Sequence, residues 1–299
     1  MWDYKFTDSD RDEVIRLKLF NGKRITYDRS KDFEAYKVCD EKLEKGCPAL
    51  SIFKSSTQNN ELVFTTKQPI ITPYECSNIL QILSSHITTA LSGTWSTVRS
   101  SSVPTTDVAV EDIPQLRNWL RVLMEERLWP ILNVTFPFLV DSTTLTSESE
   151  SRMRLHDAFI VRYSSEDGSL SLPEHSDTSA ISFTVSLGGE YEGGGTWFDD
   201  LEKDVGKVIS TPPGCCTAFA GPLRHAGYPI TSGTRIILVL FCYVEGFDYG
   251  DYMKKYCEKG GREEEEIEDE VKPSGDRKGG YVVYRQTVEL ANMLNKADI

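Results

Sequence analysis

Ile181-Ser182-Phe183-Thr184-Val185-Ser186-Leu187 alternates apolar and hydroxyl side chains without a break. Successive side chains of an extended strand point to opposite faces, so the run predicts a strand with Ile181, Phe183, Val185 and Leu187 on one face and Ser182, Thr184 and Ser186 on the other. Similar short runs lie around it, at residues 158–163, 196–198, 216–220 and 235–244, separated by glycine and proline. Strands of this length and spacing predict a sandwich or barrel. The hydroxyl face of residues 181–187 is read as the one that looks inside.

Upstream the pattern is helical. Thr72-Pro73-Tyr74-Glu75 offers a capping threonine, a first-turn proline and a glutamate placed for a capping box, and Cys76, Ile79, Leu80, Leu83 and Ile87 then form one apolar stripe to about residue 90. A second helix is predicted to begin near Asp112, with Gln115 three residues on, to carry Leu116, Trp119, Leu120, Leu123 and Met124 on one face, and to end at Pro130. Both read as scaffold. The first sixty residues, with short apolar stretches at 15–20 and 49–53, read as edge strands and loops. The expected fold is mainly β with flanking helices (α+β). It divides into residues 1–154, strands and supporting helices packed on a core; residues 155–247, the core itself; and residues 248–299, an acidic extension with a run at 263–270 and a short helix near 287–294.

Composition narrows the function. Of 299 residues 39% are hydrophobic, enough for one substantial core, and 33 basic against 46 acidic side chains leave a net charge of -13, which repels polyanions. Nucleic acid and anionic membranes are therefore not expected partners. The charged first twenty residues contain no apolar signal region and no run reaches a membrane span, so a cytoplasmic protein is expected. Seven cysteines without a Cys-x-x-Cys pair read as buried free thiols rather than disulfides or a zinc site. The sequon Asn133-Val134-Thr135 is then without meaning.

Only four histidines, at 86, 156, 175 and 225, are available to a histidine-based metal site. His175-Ser176-Asp177 places imidazole and carboxylate two apart, on the same face of an extended segment, and His225 follows where a returning strand could join them. Two imidazoles and one carboxylate make a facial set that suits non-haem iron(II) and leaves positions open. His86 and His156 read as structural. Arg235 opens the apolar run at 236–241, and a buried arginine requires an anion. That anion is either a protein carboxylate or the carboxylate of a small organic acid gripped by the guanidinium fork.

These residues resemble a known family. Val161-Arg162-Tyr163, His175-Ser176-Asp177, Tyr191-Glu192-Gly193-Gly194-Gly195-Thr196, His225-Ala226-Gly227-Tyr228-Pro229 and Gly233-Thr234-Arg235 stand in the order found in iron(II)- and 2-oxoglutarate-dependent dioxygenases, in the branch of the prolyl 4-hydroxylases and procollagen lysyl hydroxylases. The resemblance covers about a third of the chain, residues 155–246. It implies a double-stranded β-helix, a jelly roll with iron in its mouth, and iron(II) held by His175, Asp177 and His225. It further implies 2-oxoglutarate and dioxygen as co-substrates, with Arg235 on the distal carboxylate of 2-oxoglutarate and Tyr163 bonded to the same molecule. Where some relatives carry a second tyrosine this chain has Ser186, a further candidate contact to the co-substrate. The implied chemistry converts 2-oxoglutarate to succinate and carbon dioxide and oxidises an unactivated C–H bond.

For the substrate, Trp197, Arg162 and Arg99 are candidate contacts, and Arg224 a further one. A small amino-acid-like molecule is the preferred substrate class, hydroxylated or closed into a ring as in kainoid-type natural-product biosynthesis. The alternatives are a peptidyl prolyl or lysyl hydroxylase and a catalytically silent jelly-roll binding protein.

Overall fold

In the computed structural model, residues 7–21, 25–40, 60–96, 105–137, 153–199, 201 and 206–244 are described. They hold helices α1 (Asp8–Arg16), α2 (Arg29–Asp32), α3 (Pro73–Ala90), α4 (Pro114–Leu123) and α5 (Trp129–Thr135). The strands are β1 (Phe33–Lys37), β2 (Glu61–Thr66), β3 (Asp107–Ala109), β4 (Met153–Ser164), β5 (Leu172–His175), β6 (Ile181–Gly188), β7 (Tyr191–Gly193), β8 (Thr196–Phe198), β9 (Lys207–Ile209), β10 (Cys216–Ala220), β11 (His225–Gly227) and β12 (Ile230–Val244). One antiparallel sheet runs β1-β2-β10-β6-β12-β4-β3, with β7 paired to the start of β12, and a smaller one runs β5-β11-β8-β9. Side chains of both sheets line one cavity between them. This is the mainly β architecture with flanking helices that the alternation predicts, in the two-sheet arrangement of a jelly roll.

Both faces of the large sheet are used. On β6, Ile181, Phe183, Val185 and Leu187 join the main apolar core with α3 and α4, while Thr184 faces the cavity. On β12 and β4 the same division places Ile237, Val239, Phe241, Phe159, Val161 and Tyr163 on the cavity side, in register through pairs such as Val239↔Phe159 and Ile237↔Val161. A strand buried on both faces accommodates hydroxyls only where something inside can bond them.

Helix α3 matches its sequence signal closely. Thr72 Oγ1 accepts the Glu75 N–H at 3.2 Å, Glu75 Oε2 accepts the Thr72 N–H at 2.7 Å, and Cys76, Ile79, Leu83 and Ile87 are buried. The second helix differs from expectation at both ends. It starts at Pro114 after a short 3-10 turn, its N-cap is Ile113 without a side-chain bond, and Asp112 caps nothing. Nor does Pro130 end it: a π-turn over Met124–Leu128 carries the chain into α5, whose first turn holds the proline. Proline cannot donate to the carbonyl four residues back, that of Glu126, and this oxygen instead accepts the Ile25 N–H at 3.1 Å and Arg127 Nη1 at 3.3 Å. The widened turn thus lets a helix pass a proline that periodicity alone reads as a stop.

The N-terminal segment is also more helical than expected. Thr7 and Asp10 form a capping box on α1, and Lys18, at a left-handed φ of 58°, turns the chain so that Leu19 and Phe20 enter the core. The stretch at 15–20 is therefore a helix end and a turn, whereas β1 is the edge strand foreseen for this region. The stretch at 49–53, Arg99 and everything after residue 244 lie outside the described residues.

Candidate metal and co-substrate site

His175 ends β5 and His225 begins β11, and the two are register partners across the small sheet, with ring centroids 4.3 Å apart. Asp177 follows β5, and its N–H donates to the Gly221 carbonyl at 2.9 Å, which folds the carboxylate back under the two rings. One nitrogen of each imidazole and one oxygen of the carboxylate all lie within 4.8 Å of one another. Each ring uses Nδ1 on a backbone carbonyl two residues earlier, His175 on Pro173 at 2.8 Å and His225 on Leu223 at 2.9 Å. A carbonyl only accepts, so both Nδ1 atoms carry the proton and both Nε2 lone pairs face Asp177, at 3.5 Å in each case.

All three side chains are buried. Burial pushes the His225 pKa down to about 4, against the opposing pull of Asp177. At His175 burial also works against the charged ring, but the adjacent Asp177 carboxylate outweighs it and lifts the pKa above its ordinary value. Burial would raise Asp177, yet the neighbouring His225 and His175 hold its carboxyl below the usual range. One carboxylate oxygen, Oδ1, is buried without any hydrogen-bond partner. An anion with an orphaned oxygen beside two free imidazole lone pairs fits a divalent cation.

The cavity beside this cluster is lined by Tyr163, Thr184, Thr196, Phe219, Ile237 and Phe241 among others. Tyr163 stands in register with Arg235, whose guanidinium lies 5.2 Å from the phenol ring centre and donates to the Gly195 carbonyl at 3.1 Å. Among the described residues no carboxylate pairs with Arg235, although only 6% of the residue is exposed. Burial raises the Tyr163 pKa, with Arg235 opposing, so its phenol is a proton donor at neutral pH. Ser186 is buried with a partnerless hydroxyl, but neither it nor Arg235 forms part of the cavity lining.

The remaining candidates lie elsewhere. Trp197 points to the opposite side of β8 from Thr196 and Phe198, and packs beside Gly206. Arg162 stacks on Trp95, pairs with Asp167 and lines a second cavity that shares Thr105, Val161, Tyr163 and Leu172 with the first. Arg224 pairs with Glu174 and Asp199. Two residues without a signal of their own in the sequence also touch the cluster: Ser182 donates to Asp177, and the ring of Phe219 lies 4.8 Å from that of His225. Ser182 was visible as part of the hydroxyl face, but its bond to Asp177 depends on the fold of the segment between them.

No family model matches the chain. It is 33% identical over 134 residues to the 2-oxoglutarate and iron-dependent oxygenase domain-containing protein ICU11 of Arabidopsis thaliana, covering 41% of this chain and 31% of that protein. It is 29% identical over 187 residues to the multifunctional procollagen lysine hydroxylase and glycosyltransferase LH3 of Rattus norvegicus, covering 58% of this chain and 22% of that protein. Over these stretches the chain is similar to iron- and 2-oxoglutarate-dependent oxygenases. It spans between about a fifth and a third of the length of these curated relatives. Among solved structures, a 2OG-Fe(II) oxygenase family oxidoreductase from Burkholderia pseudomallei aligns with a TM-score of 0.44 at 12% identity, over 65% of this chain and 87% of that one. No helix of the described residues is long and apolar enough to cross a membrane.

Proposed function

We propose that this oxygenase-like chain is an iron(II)- and 2-oxoglutarate-dependent dioxygenase in which His175, Asp177 and His225 hold the metal. The observation that carries the reading is the convergence of three ligand atoms within 4.8 Å, one of them a buried carboxylate oxygen with no other partner. Bound iron supplies the activation of dioxygen. The chain's own residues bind and orient: Arg235 offers a buried guanidinium without a protein carboxylate, Tyr163 a protonated phenol, and Ser186 a free hydroxyl, all suited to the distal end of 2-oxoglutarate. Thermal melts with and without Mn2+ or Co2+ test the metal site. The wild type is expected to gain stability with added ion, about 2.7 kcal/mol at a hundredfold excess over Kd, and the alanine variants of the three ligands are expected to gain little. Equal gains in all four proteins would remove the proposal.

For the substrate we infer a small amino-acid-like molecule that is hydroxylated or closed into a ring. The apolar walls contributed by Phe159, Val161, Val239 and Phe241 suit an alkyl or prenyl portion beside the metal. A second reading, peptidyl prolyl or lysyl hydroxylation, is favoured by the likeness to LH3, which is described as a procollagen lysine hydroxylase. Succinate formation in the presence of free and alkylated amino acids, compared with proline- and lysine-containing peptides, separates the two. Turnover stimulated by peptides alone would decide for the second.

A further inference from the structure

The two oxygens of Asp177 are equally close to the imidazoles, Oδ1 at 3.5 Å from His175 Nε2 and Oδ2 at 3.5 Å from His225 Nε2. What distinguishes them is Ser182. Its hydroxyl donates to Oδ2 at 2.5 Å, while Oδ1 has no hydrogen-bond partner. Ser182 has a single hydroxyl proton and gives it to a group that only accepts, so the 2.7 Å contact between Ser179 and Ser182 must run from Ser179 Oγ to Ser182 Oγ. The result is a two-hydroxyl relay, buried at both residues, that ends on one chosen carboxylate oxygen.

The relay is held at both ends by backbone. Ser182 sits on β6 in register with Phe219 of β10 and Phe241 of β12. Ser179 lies against Gly221, where a Cβ would run into its carbonyl and hydroxyl. The carbonyl of that same Gly221 fixes the Asp177 N–H. A carboxylate can give a metal one oxygen or two. Bringing in Oδ2 would set the metal in competition with the Ser182 proton for the lone pairs of that oxygen and weaken a short charge-assisted bond.

We propose that Ser182, backed by Ser179, is a positioning residue that restricts Asp177 to single-oxygen binding of the metal and so keeps a coordination position free for 2-oxoglutarate. This rests on the metal-site reading given above. Outer hydrogen bonds of this kind typically change metal affinity by about 10- to 100-fold when removed.

The test is Co2+ titration of the full chain, followed by absorption and then by 2-oxoglutarate addition, for wild type, Ser182→Ala, Ser182→Cys, Ser182→Thr and His225→Ala. In Ser182→Ala and Ser182→Cys the expected results are a changed Co2+ absorption spectrum and a 2-oxoglutarate affinity for the Co2+-loaded protein weakened by about tenfold or more. The cysteine variant is close to serine in size and a poor donor, so it decides the matter if the alanine variant does not fold. Ser182→Thr keeps the hydroxyl and is expected to restore both signals. Spectra and 2-oxoglutarate affinity identical to wild type in Ser182→Ala or Ser182→Cys, with metal binding lost in His225→Ala, would overturn this proposal alone. Undiminished Co2+ binding by His225→Ala would overturn the metal-site reading and this inference with it.

Discussion

Gly227 and Tyr163 approach so closely that a methyl group on the glycine would lie 2.5 Å from the phenol oxygen and 2.9 Å from the Leu172 side chain. The glycine lies two residues beyond His225 on β11, so the lack of a side chain there joins the His175–Asp177–His225 cluster to the tyrosine that lines the same cavity. Gly227→Ala is expected to displace Tyr163, to weaken 2-oxoglutarate binding by about tenfold or more, and to cost about 1–3 kcal/mol of stability through overpacking. Calorimetric titration and a denaturant melt measure the two effects. An unchanged affinity would mean that the phenol does not touch the co-substrate.

Arg235 is buried against Tyr163 without a carboxylate partner among the described residues. Loss of a charge-assisted bond contributes about 1.5–3 kcal/mol, so Arg235→Ala is expected to raise the 2-oxoglutarate requirement roughly ten- to a hundredfold while metal affinity changes far less. Arg235→Lys keeps the charge and loses the planar fork, and an intermediate effect is expected. If the concentration dependence on 2-oxoglutarate is the same in Arg235→Ala and wild type, the arginine serves packing only.

The parts of this molecule legible in sequence are those set by local periodicity. The alternation at 181–187 determines both faces of β6, and Thr72 to Glu75 determines the start of α3, because each signal involves neighbours in the chain. Features that depend on distant partners are not legible in the sequence. Pro130 does not end its helix because Ile25, far away in sequence, takes the carbonyl that the proline abandons. The Ser182 to Asp177 bond requires the intervening turn, and the packing of Phe219 on His225 requires β10 and β11 to meet. For the candidate site, spacing and resemblance single out His175, Asp177 and His225, and the structure brings them together. Whether Trp197 faces the cavity was decided by the register of β8, which three residues are too short to reveal.

Cys76, Cys216 and Cys242 are buried, and burial raises their thiol pKa values, that of Cys76 up to about 12. Thiolate is the reactive form, so these three are expected to resist iodoacetamide at pH 8 in the native protein and to react fully in guanidinium chloride. Peptide mass mapping of the two samples reads this directly. Native labelling at Cys216 or Cys242 would mean that β10 or β12 opens on the labelling timescale.

The three groups of the His175–Asp177–His225 cluster take up protons in a defined order. Burial holds His225 down to about 4, whereas Asp177 lifts His175 above its ordinary value and is itself kept ionised. As pH falls, the metal-free cluster therefore takes up its first proton on His175, and His225 stays neutral until the solution is far more acidic. The groups are coupled, so the two steps belong to the cluster, but their separation is set by the different surroundings of the two rings. A metal requires both Nε2 atoms unprotonated, and binding expels whatever proton is there. Metal affinity should fall as pH drops through the His175 step, with a slope of log affinity against pH of about one, and should steepen toward about two only as His225 begins to titrate. Zn2+ or Co2+ affinities measured from pH 8 to 5, together with histidine NMR titration of the metal-free chain, give both quantities. A slope of two across the whole range, or histidine signals that titrate together near pH 6.5, would show that the two rings are equivalent and that burial does not separate them.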